Sequence, residues 1–163
     1  MTNQVFCEHK FRAVSKFFKW GLWGTVLFWA NLVFAQNNPD AVCGKWLTGS
    51  KEGHVEIYKA KDGKYYGKIC WLKNPNNPDG TPKLDTKNPD EAARKKPIMG
   101  LLVLRGFSYD PDEKEWVDGK IYDPKNGNDY SCTMSLKDAN TLNVRGYIGI
   151  SLLGRTEVWE RVK

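Results

Sequence analysis

The chain has 163 residues, of which 25 are basic and 19 acidic, so its formal net charge is +6. Residues 1–35 contain four of the basic residues and one of the acidic ones, and the remaining 128 residues carry a net charge of +3. Their lysines alternate with acids and form no concentrated basic stripe, which argues against a nucleic-acid partner. A chain of this length can build one domain around one core.

The first 35 residues predict a secretory signal peptide. A basic stretch leads into an apolar run over 20–35, which ends in Val33-Phe34-Ala35 and is followed by polar residues. The run is shorter than the ~18–20 apolar residues that a membrane-spanning helix needs. We therefore expect cleavage after Ala35, a mature domain over 36–163, a periplasmic or extracellular location, and no membrane partner after cleavage.

From Gly44 onward, apolar and polar residues alternate in short segments that are separated by Gly, Pro, Asn and Asp. Regular short strands with hairpin-type turns indicate an all-β fold, either an antiparallel sandwich or an up-and-down barrel. The predicted strands are 44–48, 54–60, 64–72, 101–107, 116–123, 128–137, 141–150 and 154–162.

Two tryptophans mark the ends of this series. Trp46 opens the first strand in a Gly-x-Trp pattern, and Trp159 closes the last in a Trp-x-Arg pattern that ends at Arg161. We expect the first and last strands to be neighbours, with the Arg161 guanidinium lying over the Trp46 indole and plugging one end. The other end of an eight-stranded barrel then has room for one small ligand.

A polar insertion over 73–100 interrupts the series of strands. Asn88, Pro89 and Glu91 form a helix-start pattern, and Pro97 would end a short helix. Long loops in small domains are usually functional or disordered. The internal caps favour an ordered loop, which we expect to form a lid or rim over one barrel mouth.

Catalytic and metal-binding signatures are weak. His54 is the single histidine after residue 35, and neither a Gly-x-Ser-x-Gly motif nor a catalytic cysteine signature accompanies it. One histidine and three scattered cysteines do not make a zinc ligand set. Two acidic clusters, at 110–113 and 123–129, are explained by turn chemistry. We expect no catalytic residue, no metal and no cofactor.

The cysteines after residue 35 predict no disulfide framework. Period-2 alternation places Cys132 on the core face and Cys70 on the outer face, which makes them poor partners. Cys43 is the third, and an odd count leaves at least one thiol unpaired.

The candidate ligand-binding residues are aromatic or charged side chains on strands and polar side chains on or near the insertion. Their alternative roles are structural, because aromatics can fill a small barrel and polar residues can pin the loop to it. The candidates are Tyr65, Trp71, Asp85, Asn88, Arg94, Arg105, Tyr130 and Arg155.

Motifs along most of 43–163 resemble an uncharacterised bacterial family, domain of unknown function 2147. They include Tyr66-Gly67-x-Ile69-x-Trp71-Leu72, Trp116-x-x-Gly119-x-Ile121-Tyr122-Asp123-Pro124 and Gly154-Arg155-Thr156 to Trp159-x-Arg161. The resemblance implies a lipocalin-like barrel of the calycin type. It implies no established activity, and the C-terminal helix typical of lipocalins is missing from the sequence.

The sequence therefore favours an exported, non-enzymatic protein that binds or carries an unknown small molecule. Two alternatives stay open. One is an envelope interaction module that docks a protein partner through loop 73–100, and the other is a barrel enzyme with carboxylates at its mouth. The oligomeric state is not predicted.

Overall fold

The computed structural model describes residues 38–163, and the predicted signal segment lies outside the described residues. This part of the chain forms eight strands and three short 3₁₀ turns. Within it, none of the helical segments has the length and apolar character of a membrane-crossing helix. The strands are β1 (Gly44–Leu47), β2 (Gly53–Lys59), β3 (Tyr65–Leu72), β4 (Leu102–Asp110), β5 (Glu115–Asp123), β6 (Asn128–Asp138), β7 (Thr141–Tyr147) and β8 (Arg155–Arg161).

The strands form a closed antiparallel barrel in the order β1 to β8, so the predicted all-β up-and-down barrel is confirmed. Each strand pairs with the next, and β1 pairs with β8 with Trp46 opposite Arg161. Most predicted strand bounds agree within two residues at each end. The seventh strand is shorter than predicted because it ends at Tyr147, and a 3₁₀ turn at Ser151–Leu153 precedes β8.

Antiparallel connections place the loops at two ends of the barrel. One end, which we call the closed end, contains the segment before β1 and the β2–β3, β4–β5 and β6–β7 turns. The other end, which we call the mouth, contains the β1–β2 turn, the 73–101 insertion, the β5–β6 turn and the β7–β8 loop.

A 3₁₀ turn at Pro39–Val42 plugs the closed end. The Trp46 indole N–H donates to the last carbonyl of this turn at 2.8 Å, and the Trp116 indole N–H donates to the first at 3.1 Å. The Tyr65 hydroxyl donates to Asp40 Oδ1 at 2.7 Å. These bonds satisfy the polar atoms of large aromatics while their rings fill the interior. The buried side chains of this half include Ile57, Tyr65, Phe107, Trp116, Met134 and Leu142.

Close packing in the middle of the barrel depends on a glycine. A Cβ placed on Gly119 would lie 2.3 Å from the ring of Phe107, which is itself completely buried. Gly119 therefore faces the interior and leaves the space that the phenyl ring occupies. Such contacts leave the closed half of the barrel solid.

A bulge in β3 changes which aromatic lines the barrel. The register pairs His54 with Trp71 and leaves Cys70 as an extra residue after the inward-facing Ile69. Trp71 then packs on the outer-facing His54, with ring centroids 4.3 Å apart, and Leu72 packs against the core instead. Simple alternation from Ile69 would place Trp71 on the inner face, but the bulge reverses the alternation beyond it and places Trp71 on the outer wall.

The predicted helix of the insertion is reduced to a 3₁₀ turn at Ala93–Lys95. The side chain of Asn88 accepts from the Asp90 N–H, and that of Asp90 accepts from the Ala92 N–H, both at 2.9 Å. These local bonds satisfy backbone donors in turns rather than in a continuous helix. The insertion is ordered, as its caps indicated.

The three cysteines among the described residues are free thiols. Cys132 is buried and faces the core. The Cys70 thiol donates to the His54 carbonyl at 3.5 Å outside the barrel. The predicted faces of these two residues agree with the structure.

Candidate functional site

The inner wall of the barrel near the mouth carries two charged side chains. The β7–β8 register pairs Val144 with Glu157 and Gly146 with Arg155, and Val144 is buried in the interior, so both charged side chains lie on the inner face. Both are exposed to solvent. A charged pair on an inner wall that solvent reaches distinguishes this end from the filled closed end.

An apolar wall lies beside these charges. A Cβ on Gly146 would lie 3.5 Å from Ile121 Cγ2 and 3.7 Å from Tyr130 Cβ, so all three residues share the inner face. Ile121 and Tyr130 are directly paired across β5 and β6, and both are half-buried. We define the cup by Ile121, Tyr130, Gly146, Arg155 and Glu157.

The floor of the cup holds the Glu157 carboxylate in place. The indole N–H of the buried Trp159 donates to Glu157 Oε2 at 3.3 Å. On the other side, a Cβ on Gly49 of the β1–β2 turn would lie 3.5 Å from the same oxygen. The Glu157 carboxylate therefore lies between the buried Trp159 and the β1–β2 turn at the mouth.

An ion pair crosses the mouth. Glu52 follows β1 and Lys125 follows β5, and these strands lie on opposite sides of the ring. Their charged atoms are 2.6 Å apart. The hydrogen bond from Lys125 lowers the pKa of Glu52, and the same bond raises the pKa of Lys125, with a further contribution from the charge of Glu157. We call this pair the strap.

The insertion is fastened to the outer wall by a buried carboxylate. Tyr122 alternates with the inward Ile121 and so points outward, where its hydroxyl donates to Asp85 Oδ1 at 2.8 Å. Asn88 donates to Asp85 Oδ2 at 2.7 Å, and Asp85 is completely buried. Burial and the hydrogen bond to Asp85 raise the pKa of Tyr122 to about 12. This part of the insertion is a rim on the outer wall and not a lid.

Arg94 and Arg105, two further ligand-binding candidates, lie near the place where the insertion is fastened to the outer wall. Arg94 Nε donates to the Asn88 carbonyl at 2.7 Å, which stabilises the turn of the insertion. Arg105 forms an ion pair with Asp129 on the outer face of the barrel. These contacts give both arginines structural partners outside the cup.

The predicted site residues therefore separate into distinct places. Tyr130 and Arg155 lie in the cup. Trp71 lies on the outer wall, and Tyr65 lies at the closed end, where it is bonded to Asp40. The other four candidates lie at or near the hydrogen bonds that attach the insertion to the outer wall: Asp85, Asn88, Arg94 and Arg105.

Sequence reasoning did not select Glu52 or Lys125, because their contact depends on two turns that are distant in sequence. It also missed the exposed loop over 148–153, which the alternation had assigned in part to a strand. The composition of this loop, with aliphatic residues and no charge between two arginines, is the signal that could have found it.

The acidic clusters act in turns and ion pairs. Asp110 Oδ1 accepts from the backbone N–H groups of Asp112 and Glu113, and Asp123 Oδ1 accepts from that of Lys125. Over residues 38–163, no group of three His, Cys, Asp or Glu side chains is arranged to hold a metal ion.

Two hollows lie on the outer surface. One, of about 370 Å³, lies between the insertion and the β5–β6 turn. Its lining residues include Lys83, Leu84, Ile98 and Lys125. The other, of about 250 Å³, lies on the polar outer face of β5 to β8. The lining of the second hollow includes Thr133, Asn143, Arg145 and Thr156.

Comparison with solved structures shows a shared fold. A structure described as "Protein HP1028 from the human pathogen Helicobacter pylori belongs to the lipocalin family" superposes with a TM-score of 0.62 and is 22% identical. The match covers 74% of this chain and 82% of that one. No curated protein matches the chain at a significant level.

The family described as "Uncharacterized protein conserved in bacteria (DUF2147)" matches residues 44–161, which include all eight strands. The chain belongs to this bacterial family, and its barrel is lipocalin-like.

Proposed function

We propose that this protein is an exported carrier that binds a small amphipathic molecule in the cup, without covalent chemistry. The observation that carries the proposal is the contrast between the two halves of the barrel. Aromatic rings fill the closed half, whereas Arg155 and Glu157 face inward at the mouth and are open to solvent. Buried aromatics at one end and convergent charged groups at the other make the mouth the place for a ligand.

The cup suggests the chemistry of the ligand. Ile121 and Tyr130 offer an apolar wall, Glu157 can accept a hydrogen bond from a hydroxyl or ammonium group, and Arg155 can bind an acidic group. A molecule with an apolar body and a polar or zwitterionic head matches this set. Trp159 and Cys132, the next inward residues toward the closed end on β8 and β6, are buried, so side chains fill the space below the cup.

Lipocalin-like barrels have an interior that can hold one small ligand, which supports the same proposal. Export is supported by the signal-like sequence over 1–35. Because the site is at the mouth, the strap between Glu52 and Lys125 would lie across the path of the ligand.

The test is native mass spectrometry of the protein isolated from its host. We expect the mass of a chain that begins at Gln36, together with a bound small molecule that dissociates on collisional activation. A consistently ligand-free spectrum would contradict the carrier function. A mass that includes residues 1–35 would contradict signal cleavage.

A second arm uses the neutral fluorophore N-phenyl-1-naphthylamine as a displaceable probe. We expect Glu157→Gln and Ile121→Ser to weaken displacement by the extracted ligand, whereas Glu56→Gln, on the outer face of β2, leaves it unchanged. Equal displacement in all variants would place binding outside the cup.

One observation favours a protein-interaction module as a second candidate. The hollow of about 370 Å³ lies between loop 73–100 and the β5–β6 turn, where lysines surround Leu84 and Ile98. A partner with an acidic, partly apolar segment would fit it. Crosslinking in the host with a photoreactive residue at Thr86 tests this candidate, and a lack of specific crosslinks there would exclude it.

A further inference from the structure

The loop between β7 and β8 exposes apolar side chains to an unusual degree. Ile148, Ile150, Leu152 and Leu153 are 74%, 59%, 84% and 80% exposed. Among the other large apolar side chains of residues 38–163, exposure does not exceed 48%, at Val158. Four aliphatic side chains at one tip are costly in water and indicate a surface that covers them. We call residues 148–153 the apolar loop.

The charged residues that bracket the apolar loop along the chain are both positive. Arg145 and Arg155 bracket it, and no Asp or Glu occurs between them. Arg145 Nη2 donates to the Leu152 carbonyl at 3.4 Å, and its Nη1 donates to Thr156 Oγ1 at 3.0 Å, so the cation lies at the base of the loop. The β4–β5 turn at the opposite end of the barrel carries four acids and one lysine over 110–115. This charge distribution favours an anionic surface at the mouth.

The size and shape of the loop argue against a second copy of the chain. A stable dimer buries roughly 800 Å² on each partner, and one protruding tip of six residues is much smaller. A lipid bilayer needs no matching groove. Aliphatic side chains enter the boundary between headgroups and acyl chains, and flanking arginines interact with lipid phosphates. Gly149, with φ of +73°, and Gly154 allow the tip to adjust as it enters.

We propose that the apolar loop docks the barrel on an anionic lipid bilayer, with the mouth facing the membrane. The inference differs from the sequence-based expectation of no membrane partner after cleavage, since it concerns peripheral contact and not a spanning segment. It does not depend on the cup binding a ligand.

The test is co-sedimentation of the protein, as its host produces it, with vesicles of phosphatidylcholine that contain roughly one third phosphatidylglycerol. We expect wild type to sediment with these vesicles, less so at high salt. The variant Ile150→Ser/Leu152→Ser/Leu153→Ser should bind these vesicles at least about tenfold more weakly than wild type. The matched control Leu84→Ser/Met99→Ser, which alters exposed apolar residues of the insertion, should behave as wild type.

Several outcomes would overturn the proposal. These are no sedimentation of wild type, equal partition of the loop variant and wild type, and equal binding to pure phosphatidylcholine vesicles. A loop variant that changes the molar mass in light scattering, but not the vesicle partition, would assign the loop to a second copy. Circular dichroism checks that the variants fold.

Both proposals can fail separately. Glu157→Gln leaves the apolar loop intact, so membrane docking predicts unchanged vesicle partition. The loop variant leaves the cup intact. The extracted ligand should therefore displace N-phenyl-1-naphthylamine from this variant in solution as well as it does from wild type.

Discussion

The guanidinium carbon of Arg161 lies 4.1 Å from the centre of the Trp46 ring. The same guanidinium donates to the carbonyls of Ala41, Cys43 and Ala139 at 2.6, 3.0 and 2.7 Å. Burial lowers the pKa of Arg161 below its usual value. One cation thus joins the 3₁₀ plug, the start of β1 and the β6–β7 turn, and holds the closed end together.

This contact predicts a large effect of substitution at the closed end. Trp46→Ala should lower the free energy of unfolding by about 3–5 kcal/mol, since it removes a completely buried indole. Arg161→Lys keeps the charge but replaces the planar guanidinium with a compact ammonium that does not span the three carbonyls, and we expect a loss of roughly 2 kcal/mol. Urea denaturation measures both, with Arg155→Lys at the mouth as the control. A near-neutral Trp46→Ala would contradict the role of this pair in closure.

The contact between Gly119 and Phe107 predicts a steric effect. Gly119→Ala should destabilise the fold by about 1–3 kcal/mol, because its methyl group would overlap the phenyl ring. Phe107→Leu by itself should also lower the free energy of unfolding, but in the double variant it should relieve the clash with the new methyl group. The matched control is Gly146→Ala, also on the inner face, where the added Cβ meets its neighbours at 3.5 Å. Additive effects of Gly119→Ala and Phe107→Leu in a double-mutant cycle would refute the overlap.

Tyr122 predicts an alkaline limit to stability. Its pKa in the folded protein is about 12, above the ordinary value of 10.0. The unfolded chain therefore loses this proton first as pH rises. Stability from the hydrogen bond to Asp85 is complete below pH 10 and is lost as pH rises through 12.

Tyr122→Phe tests this dependence. We expect a loss of about 1–3 kcal/mol at neutral pH, because the buried Asp85 loses a donor, and a weaker decline above pH 10. Denaturation at a series of pH values provides the measurement, with Tyr58→Phe, an exposed ring on the outer wall, as the control. An alkaline decline in Tyr122→Phe as steep as in wild type would disprove the assignment.

The strap predicts an effect on exchange at the mouth. Glu52→Gln and Lys125→Gln should each speed uptake and release of N-phenyl-1-naphthylamine, by less than about tenfold because the pair is exposed. Rates in wild type should rise with salt and approach those of the variants. Stopped-flow fluorescence measures the rates, and Glu56→Gln, which breaks an outer-wall pair with Lys68, is the control. Unchanged rates in both strap variants would mean that the ligand does not pass beneath the pair.

Alternation in the sequence was enough to predict an antiparallel all-β fold, because most inward positions of the strands are apolar and fill the core. The closure of the barrel was predicted from Trp46 and Trp159 at the two ends of the strand series. The alternation rule failed at Trp71, since the bulge at Cys70 arises from pairing with β2 and leaves no mark on local periodicity. Tyr65 was selected as a ligand-binding candidate from its strand position, but its place at the closed end depends on the strand order. The strap joins turns that are distant in sequence, so no local pattern could predict it.

The bulge at Cys70 also has a spectroscopic consequence. Of the four indoles in residues 38–163, only Trp71 is substantially exposed, so red-shifted and quenchable emission will report on the outer wall beside His54. Titrations that follow total emission would mix this signal with any change inside the barrel. In a Trp71→Phe background the emission of residues 38–163 would come from three buried indoles, one of which, Trp159, is bonded to Glu157 directly beneath the cup.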